Sequence, residues 1–569
     1  MKATRCLMVV CLALLCPLLG CAQEDQLTYR WFYLSTNFLV PENVAKGQAL
    51  LQRAAAVGYS GVVLTDSKFG FLDQMPDRYF DNVRAFKATA DELGLEIVPG
   101  VMPIGYSGSL LYHNPNLAEG PPVKDALFVV RDRMADLVAD PPVALPGGDF
   151  EQATDHKFAG WDWQDNVGES IFADTQVVHG GSVACRMEAI GAASPEHGHC
   201  RLSKLLDVSP FRCYHLQAWV KSEDFDTADR VRIFALSPDG RALSYIDLGV
   251  KRTQDWTLHH VVFNSLDNQQ VRVYIGVWGG RTGKLWWDDV TIEEVGLLNL
   301  LRRDGCPLTV RGEDGTVYEE GRDFEPVKDE RMGVVRWSGS YELYHEPPVI
   351  QLIADSRIAD GQRLRVSFYQ PAIIGSHQVT CCLSEPQVYQ ILDDQIRRIE
   401  DLLHPSAWFM SHDEIRCANW CQACQDRAMT PGQLLADNVR RCTEIIRAIN
   451  PDARIGVWSD MFDPYHNAHD NYYLVNGTWE GSWEGLDPDV IIADWYFKPR
   501  EQNLPWFAGR GHKQILAGYY DNSSFYTPQW LADAQRLNAP VIGVIYTTWR
   551  SGYDDLERWA QAVWGGAGH

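Results

Sequence analysis

Hydrophobic positions near the start of the chain follow a repeating pattern. Short apolar runs are each followed by a segment in which apolar side chains recur every three or four residues, as in a buried strand followed by an amphipathic helix. Three such strands are predicted, at Tyr29–Ser35, Gly61–Asp66 and Glu96–Met102. Near-continuous apolar runs are typical of parallel strands, because helices cover both faces of a parallel sheet. The pattern therefore predicts a parallel α/β fold.

The alternation stops in the middle of the chain. From about Leu145 to Val295, short strands are separated by turns, and further strands continue to about Gln370. We expect two all-β insertions, a jelly-roll-like module at 145–295 and a smaller β domain at 296–380. The stretch from "GGDFE" to "WWDDVTI" resembles carbohydrate-binding modules of the jelly-roll type.

Alternation resumes with a helix after Pro386. Five more strands are predicted, at Ala407–His412, Arg454–Asp460, Asp489–Trp495, Gln514–Tyr520 and Val541–Trp549. Three strands before the insertions and five after them make eight, the number that closes a (β/α)₈ TIM barrel. We therefore expect residues 22–144 and 381–569 to form one barrel, interrupted after its third strand by the β domains.

The predicted strands end in acids and aromatic residues, at the barrel face where catalytic groups gather. These residues are Asp66, Asp413, Glu414, Trp458, Asp460, Asp494, Trp495, Tyr519, Asp521, Tyr546 and Trp549. Buried carboxylates are unfavourable unless they are paired or used, and flat rings suit the faces of sugars. The combination predicts a glycoside hydrolase, which needs a proton donor and a group that stabilises the oxocarbenium-like state.

The adjacent acids Asp413 and Glu414 resemble the catalytic pair of family-20 glycoside hydrolases, the β-N-acetylhexosaminidases. This resemblance implies that Glu414 is the general acid and base, and that Asp413 orients a 2-acetamido group that serves as the nucleophile. A two-carboxylate mechanism on neutral sugars would instead use Asp494 or Asp521. Neither route requires a cofactor. In the structural alternative, the pair begins a helix, with Asp413 as the cap.

Composition narrows the choice of partner. The formal net charge of −24 argues against nucleic acid, because phosphate binding needs a basic face. The 20 Trp and 23 Tyr residues suit an oligo- or polysaccharide. A glycan-binding lipoprotein without catalytic activity is the alternative from another functional class.

The N-terminus predicts export. Lys2 and Arg5 precede an apolar run from Leu7 to Leu19, which is too short to span a bilayer. The run ends in "LLGC", which resembles the cleavage box of bacterial lipoproteins and makes residues 1–21 a signal peptide. Lipidated Cys21 would then be the one membrane contact of a periplasmic or surface protein. A plain secretory signal is the alternative.

Two features suggest metal binding. Cys417, Cys421 and Cys424 contain a C-x-x-C, which would form a structural zinc site with Cys442 or His412. Disulfides are the default for these cysteines in an oxidising compartment. In modules that resemble the jelly-roll segment, acids near the two ends hold calcium; Glu151 and Asp288 are therefore predicted ligands of a structural calcium ion.

Overall fold

Eight parallel strands close into a barrel in a computed structural model that describes residues 27–333, 341–375, 378–521 and 525–565. In barrel order, the strands are β1 (Tyr29–Ser35), β2 (Gly61–Thr65), β3 (Glu96–Val101), β4 (Ala407–Met410), β5 (Arg454–Trp458), β6 (Ile491–Asp494), β7 (Gln514–Ala517) and β8 (Val541–Tyr546). β8 pairs with β1, which leaves the barrel no free edge. The prediction of an α/β barrel with inserted β domains is confirmed.

Alternate side chains of the strands pack on opposite sides of the barrel sheet, as the pleat requires. Val63, Val98 and Phe409 belong to a cluster that fills the barrel interior. Neighbouring residues such as Val62 and Leu64 pack in the large outer core, which includes apolar side chains of the surrounding helices. The interior is therefore a packed core, and ligands can approach only at an open end.

Seven helices of eight or more residues occur in the described α-helical segments. They are α1 (Pro41–Ala56), α2 (Asp77–Glu92), α3 (Pro386–Leu403), α4 (Pro431–Ile449), α5 (Arg500–Gly509), α6 (Thr527–Arg536) and α7 (Leu556–Trp564). The connection from β5 to β6, residues 459–490, is described throughout and contains no α-helix. It forms two 3₁₀ turns and a short strand, so the regular strand–helix alternation is interrupted there.

The jelly-roll insertion consists of two five-stranded antiparallel sheets packed face to face. One sheet contains Gln254–Asn264, Cys213–Glu223, Lys284–Glu294, Ala184–Glu188 and Ile171–Asp174. The other contains Ala242–Asp247, Val231–Leu236, Gln270–Trp278, His199–Asp207 and Trp163–Gln164. Buried side chains from both sheets, among them Ile275 and Trp287, form one core.

The smaller β domain is a six-stranded sheet that differs from the predicted boundaries. Its strands, in sheet order, are Val317–Tyr318, Thr309–Gly312, Arg363–Tyr369, Pro122–Arg131, Met134–Leu137 and Ile350–Gln351. The hairpin at 122–137 was expected in the first part of the barrel, but it pairs with Arg363–Tyr369. An apolar run shows that a strand is buried without showing which strand it pairs with, and the assignment was wrong for that reason.

The predicted signal peptide and Cys21 lie outside the described residues. None of the helices in the described part of the chain is both long enough and apolar enough to cross a membrane.

Candidate active site

A cavity of about 990 Å³ opens at the carboxyl ends of the barrel strands. Its wall includes the Asp413–Glu414 pair, and the insertions contribute Arg230 of the jelly roll and Gln378 of the segment before α3. This volume is near the upper end of the range for small-molecule sites, about 300–1,000 Å³. The space is therefore large enough for a substrate of more than one sugar ring.

The Asp413–Glu414 pair lies in an irregular loop directly after β4, and no helix begins there. The helix-cap alternative is therefore wrong. Glu414 has φ = 49°, in the left-handed region that non-glycine residues seldom adopt. Its N–H donates to Asp460 Oδ2 (2.9 Å), and its carbonyl oxygen accepts from Gln378 Nε2 (2.7 Å). Both backbone groups are thus held, which fixes the direction of the side chain.

The Glu414 carboxylate forms an ion pair with Arg416, whose Nη2 lies 2.8 Å from Glu414 Oε2. The same oxygen accepts a hydrogen bond from the Tyr106 hydroxyl. Arg416 is buried, donates through Nη1 to Gln378 Oε1, and lies over the ring of Tyr473 at 5.0 Å. These contacts surround Glu414 with one positive charge and a hydroxyl donor.

The neighbouring carboxyl of Asp413 is in a different environment. Burial, followed by the negative charges of Asp460 and Glu414, raises the pKa of Asp413 to about 8. Burial also raises the pKa of Asp460 to about 6, although the hydrogen bond from the Glu414 N–H opposes this. The raised pKa keeps the Asp413 carboxyl protonated near neutral pH, the state that a general acid requires.

The loop after β3 packs directly against the acid pair. A Cβ atom on Gly105 would lie 1.9 Å from the carbonyl oxygen of Asp413, so only glycine permits this approach. The next residue in that loop is Tyr106, which donates to Glu414. The close contact therefore places the Tyr106 hydroxyl at the acid pair.

Aromatic rings form one side of the cavity. Trp458, Trp495 and Trp549, all predicted from strand ends, line it together with Tyr33 and Tyr520. The rings of Trp495 and Tyr520 are nearly parallel, with an interplanar angle of 7° and centroids 6.1 Å apart. Tyr520 and Trp549 are 48% and 44% exposed, so part of each side chain is accessible to a ligand. Such surfaces suit the C–H-rich faces of sugars.

Asp66 and Asp521 also line the cavity, but their carboxylates are engaged within the protein. Asp66 accepts hydrogen bonds from the backbone N–H groups of Phe38 (2.9 Å) and Lys68 (3.0 Å) and from the Tyr79 hydroxyl (3.1 Å). Asp521 accepts from the Thr548 hydroxyl and from the N–H of Trp549 (2.7 Å). Both acids therefore brace loops at the cavity wall.

Four other predicted site residues do not line the cavity. Asp460 lies beneath the acid pair and also accepts a hydrogen bond from Trp495 Nε1 at 3.2 Å. Asp494 is fully buried; burial, followed by the negative charge of Asp463, raises its pKa, and a hydrogen bond from the Ser459 side chain opposes this. Tyr546 is buried, and the largely buried Tyr519 stacks on it with ring centroids 4.2 Å apart. Side chains at a strand end alternate in direction, so only some of them reach the mouth.

Sequence reasoning missed Tyr106, Gln378, Arg230 and Arg416 at this site. Arg416 follows Glu414 by two residues, and a cation so close to the acid pair was a usable signal. The other three come from distant loops and insertions. Their approach to the pair depends on tertiary packing, which the sequence pattern does not encode.

The predicted calcium ligands lie close to one loop of the jelly roll. Glu151 accepts hydrogen bonds from the backbone N–H groups of Ser182 (2.9 Å) and Val183 (3.1 Å), and Asp288 accepts from that of His179 (2.8 Å). These bonds lower the pKa of Glu151. Both carboxylates thus serve to hold the loop, and calcium binding stays a prediction.

The predicted zinc ligands do not all converge. Cys417 packs in the jelly-roll core cluster, and Cys442 lies in α4 within the barrel core. His412 Nε2 lies 3.1 Å from Asn438 Oδ1, and burial lowers the pKa of His412 to about 4. Cys421 and Cys424 instead lie beside Cys382.

The sequence matches no protein-family model and no curated protein. Among solved structures, a rhamnosidase from Novosphingobium sp. PP1Y is similar with a TM-score of 0.32 and 10% identity, over 92% of this chain and 55% of that chain. A chitobiase from Flavobacterium johnsoniae has a TM-score of 0.22 and 16% identity, over 32% of this chain and 28% of that one. A carbohydrate-binding module in complex with β-1,4-galactotriose has a TM-score of 0.21 and 15% identity, over 26% of this chain and 97% of that one.

Proposed function

We propose that this protein is a glycoside hydrolase with a (β/α)₈-type catalytic barrel, which binds an oligo- or polysaccharide in the cavity and cleaves it with Asp413 and Glu414. The observation that carries this proposal is the pair itself, two adjacent carboxyls in different electrostatic environments facing a cavity of about 990 Å³. The aromatic side of the cavity supplies surfaces on which sugar rings stack.

The contacts of the pair favour one division of roles. Glu414 forms an ion pair with Arg416, and its carboxylate stabilises positive charge on the anomeric carbon. Asp413, with a pKa of about 8, keeps its proton near neutral pH and donates it to the leaving oxygen. This assignment differs from the family-20 resemblance, which implies that Glu414 is the proton donor and that Asp413 orients a 2-acetamido group.

The other candidate carboxylates fit the reaction less well. Asp494 is buried away from the cavity, and the oxygens of Asp521 are bonded to Thr548 and Trp549. In Glu414, one carboxylate oxygen, Oε2, makes both the ion pair with Arg416 and the hydrogen bond with Tyr106. We therefore assign the carboxylate role to Glu414 and a wall-bracing role to Asp521.

We also propose that the chain is exported and tethered through a lipid on Cys21. The support for this proposal is the "LLGC" box after the apolar run. A tethered hydrolase would act on glycans in the periplasm or at the cell surface.

A panel of chromogenic glycosides, each as its 2-acetamido and 2-hydroxy form, tests the proposal. We expect turnover of at least one substrate by the native protein and a loss of about 10³-fold or more in Glu414→Gln, because the charge-stabilising group is removed. Glu444→Gln, at an exposed position on α4, is the matched control and should retain full activity. Sugar binding without turnover of any glycoside would contradict the proposal and support the glycan-binding alternative.

A further inference from the structure

Four buried side chains converge next to the loop that carries the catalytic pair. They are Glu119, Cys382, Cys421 and Cys424, and their potential ligand atoms all lie within 4.8 Å of one another. No step of the proposed hydrolysis uses them. The four residues come from three separate segments of the chain. The tertiary fold therefore brings them together.

The sulfur–sulfur distances distinguish two kinds of thiol cluster. Cys382 Sγ lies 3.4 Å from Cys421 Sγ and 3.5 Å from Cys424 Sγ. A disulfide would require about 2.05 Å. Tetrahedral zinc with Zn–S bonds of about 2.3 Å places its sulfurs about 3.8 Å apart. The observed spacing is close to the zinc geometry, and the ten cysteines of the described chain are all free thiols.

The segment from Cys421 to Cys424 is a compact C-x-x-C turn. The N–H groups of Cys424 and Gln425 donate to the Cys421 carbonyl oxygen at 3.1 and 3.0 Å, which directs both thiols to one side. The hydroxyl of Ser384 donates to Cys424 Sγ (3.2 Å), and its N–H donates to Cys382 Sγ (3.4 Å). Donors to sulfur of this kind stabilise thiolates around a bound metal.

Glu119 completes the group from the opposite segment of the chain. Its Oε1 accepts the N–H groups of Trp420 and Cys421, both at 2.8 Å. Its other oxygen, Oε2, lies 3.5 Å from Cys424 Sγ and is turned into the cluster. A fifth thiol, Cys306, is within hydrogen-bonding reach of Cys421 but does not belong to the group of mutually close ligand atoms.

We propose that Cys382, Cys421, Cys424 and Glu119 bind one structural zinc ion. Three thiolates and one carboxylate make a closed tetrahedral set, and burial of all four leaves no position for substrate or water. The ion would join the loop after β4 to the segments that precede the small β sheet and α3. It would thereby support the backbone that leads from Glu414 to the C-x-x-C turn. This ligand set replaces the one predicted from the sequence, which used Cys417.

Metal analysis of the purified full-length protein tests this proposal without any glycoside substrate, so its failure is distinct from failure of the proposed hydrolysis. We expect one equivalent of zinc per chain after dialysis. Cobalt substitution should give thiolate-to-cobalt charge transfer and the absorption of a tetrahedral site. Cys424→Ser should lose the bound metal, whereas Cys442→Ser, which changes an equally buried thiol in α4, should retain it.

Two more variants keep the proposal testable if Cys424→Ser fails to fold. Glu119→Gln preserves the shape of the side chain and should weaken zinc binding about tenfold or more. Cys306→Ser should retain one equivalent of zinc. The proposal is overturned if native protein contains no zinc. In that case, denatured protein that titrates with two thiols fewer than its cysteine count would indicate a disulfide instead. Loss of zinc in Cys306→Ser with retention in Glu119→Gln would overturn the assignment of Glu119 as the fourth ligand.

Discussion

At the scale of single residues, Asp413 makes the stability of the protein depend on pH. Its folded-state pKa is about 8, above the value of about 3.9 for an unfolded aspartate. Below about pH 4 both states hold the proton, so the group does not make stability change with pH there. Between about pH 4 and pH 8 the unfolded chain releases that proton while the folded protein retains it, and the folded state loses stability as pH rises.

Asp413→Asn removes this titration. We therefore expect the free energy of unfolding of the variant, relative to native protein, to increase steadily from pH 4 to pH 8 in urea titrations. Asp533→Asn is a control in which the pH dependence of relative stability should have the opposite sign. Hydrogen bonds from Arg500 and Arg536 lower the pKa of Asp533. The relative stability of Asp533→Asn should decrease as pH rises through the acid range. A pH-independent difference for Asp413→Asn would refute the raised pKa.

Tyr106 is the second test at this scale, because its hydroxyl donates to the Glu414 carboxylate. A hydrogen bond to a charged group contributes about 1.5–3 kcal/mol, so Tyr106→Phe should lower kcat about ten- to hundredfold. The fold should be unaffected, which circular dichroism checks. Tyr274→Phe, in the jelly roll and outside the cavity lining, should leave kcat unchanged. An unaltered kcat in Tyr106→Phe would remove this residue from the site.

The residues predicted from the sequence divide according to the direction of their side chains. Trp458, Trp495 and Trp549 were identifiable because aromatic residues at strand ends are expected at the mouth, and all three line the cavity. Asp494 and Tyr546 have the same sequence signal but point into the core. A strand end gives the location of a residue, whereas its side-chain direction depends on register within the closed barrel.

At the scale of elements, the approach of the loop after β3 to the loop after β4 controls the site. Gly105→Ala would force a Cβ atom against the Asp413 carbonyl oxygen, and such overpacking costs about 1–3 kcal/mol. We expect that loss in the free energy of unfolding, together with a fall in activity as the acid pair is displaced. Urea unfolding and steady-state kinetics measure the two effects.

Gly509→Ala provides the matched comparison. Gly509 ends α5, and a Cβ atom there would meet nothing within 4 Å. This substitution should preserve both stability and activity. Equal behaviour of the two glycine variants would show that the contact between the loops does not constrain the pair.

The barrel strands were predictable at this scale because buried parallel strands are short continuous apolar runs. The connection from β5 to β6 was less predictable, since its turns replace an expected helix. Its short strand Leu474–Val475 pairs with Cys417–Ala418, in the loop that follows the Asp413–Glu414 pair. Such pairing between two loops leaves no periodic signal in the sequence.

At the scale of the whole molecule, the jelly roll completes the cavity of the barrel. Arg241 donates to the carbonyl oxygens of Tyr473 and Val475, which attaches the module to the connection after β5. Arg230 of the same module lines the cavity. The insertion of the β domains between β3 and β4 therefore places a module side chain at the cavity beside the barrel loops.

Arg230→Ala should consequently weaken substrate binding more than it slows the reaction. We expect KM to rise several-fold while kcat stays within about twofold, because Arg230 lines the cavity from the jelly roll and has no part in the proposed proton transfer or charge stabilisation. Arg252→Ala, an exposed arginine of the module outside the cavity lining, is the control. Unchanged kinetics in Arg230→Ala would argue that the module takes no part in binding substrate.

The most direct test of the central claim compares leaving groups of different acidity in Asp413→Asn and Glu414→Gln. A leaving group that departs without protonation does not need the general acid, but it still needs charge stabilisation at the anomeric carbon. We predict that Asp413→Asn retains near-native rates on a dinitrophenyl glycoside and loses about 10²-fold or more on a poor leaving group, while Glu414→Gln is slow on both. Selective rescue of Glu414→Gln by the good leaving group would contradict this account and assign proton donation to Glu414.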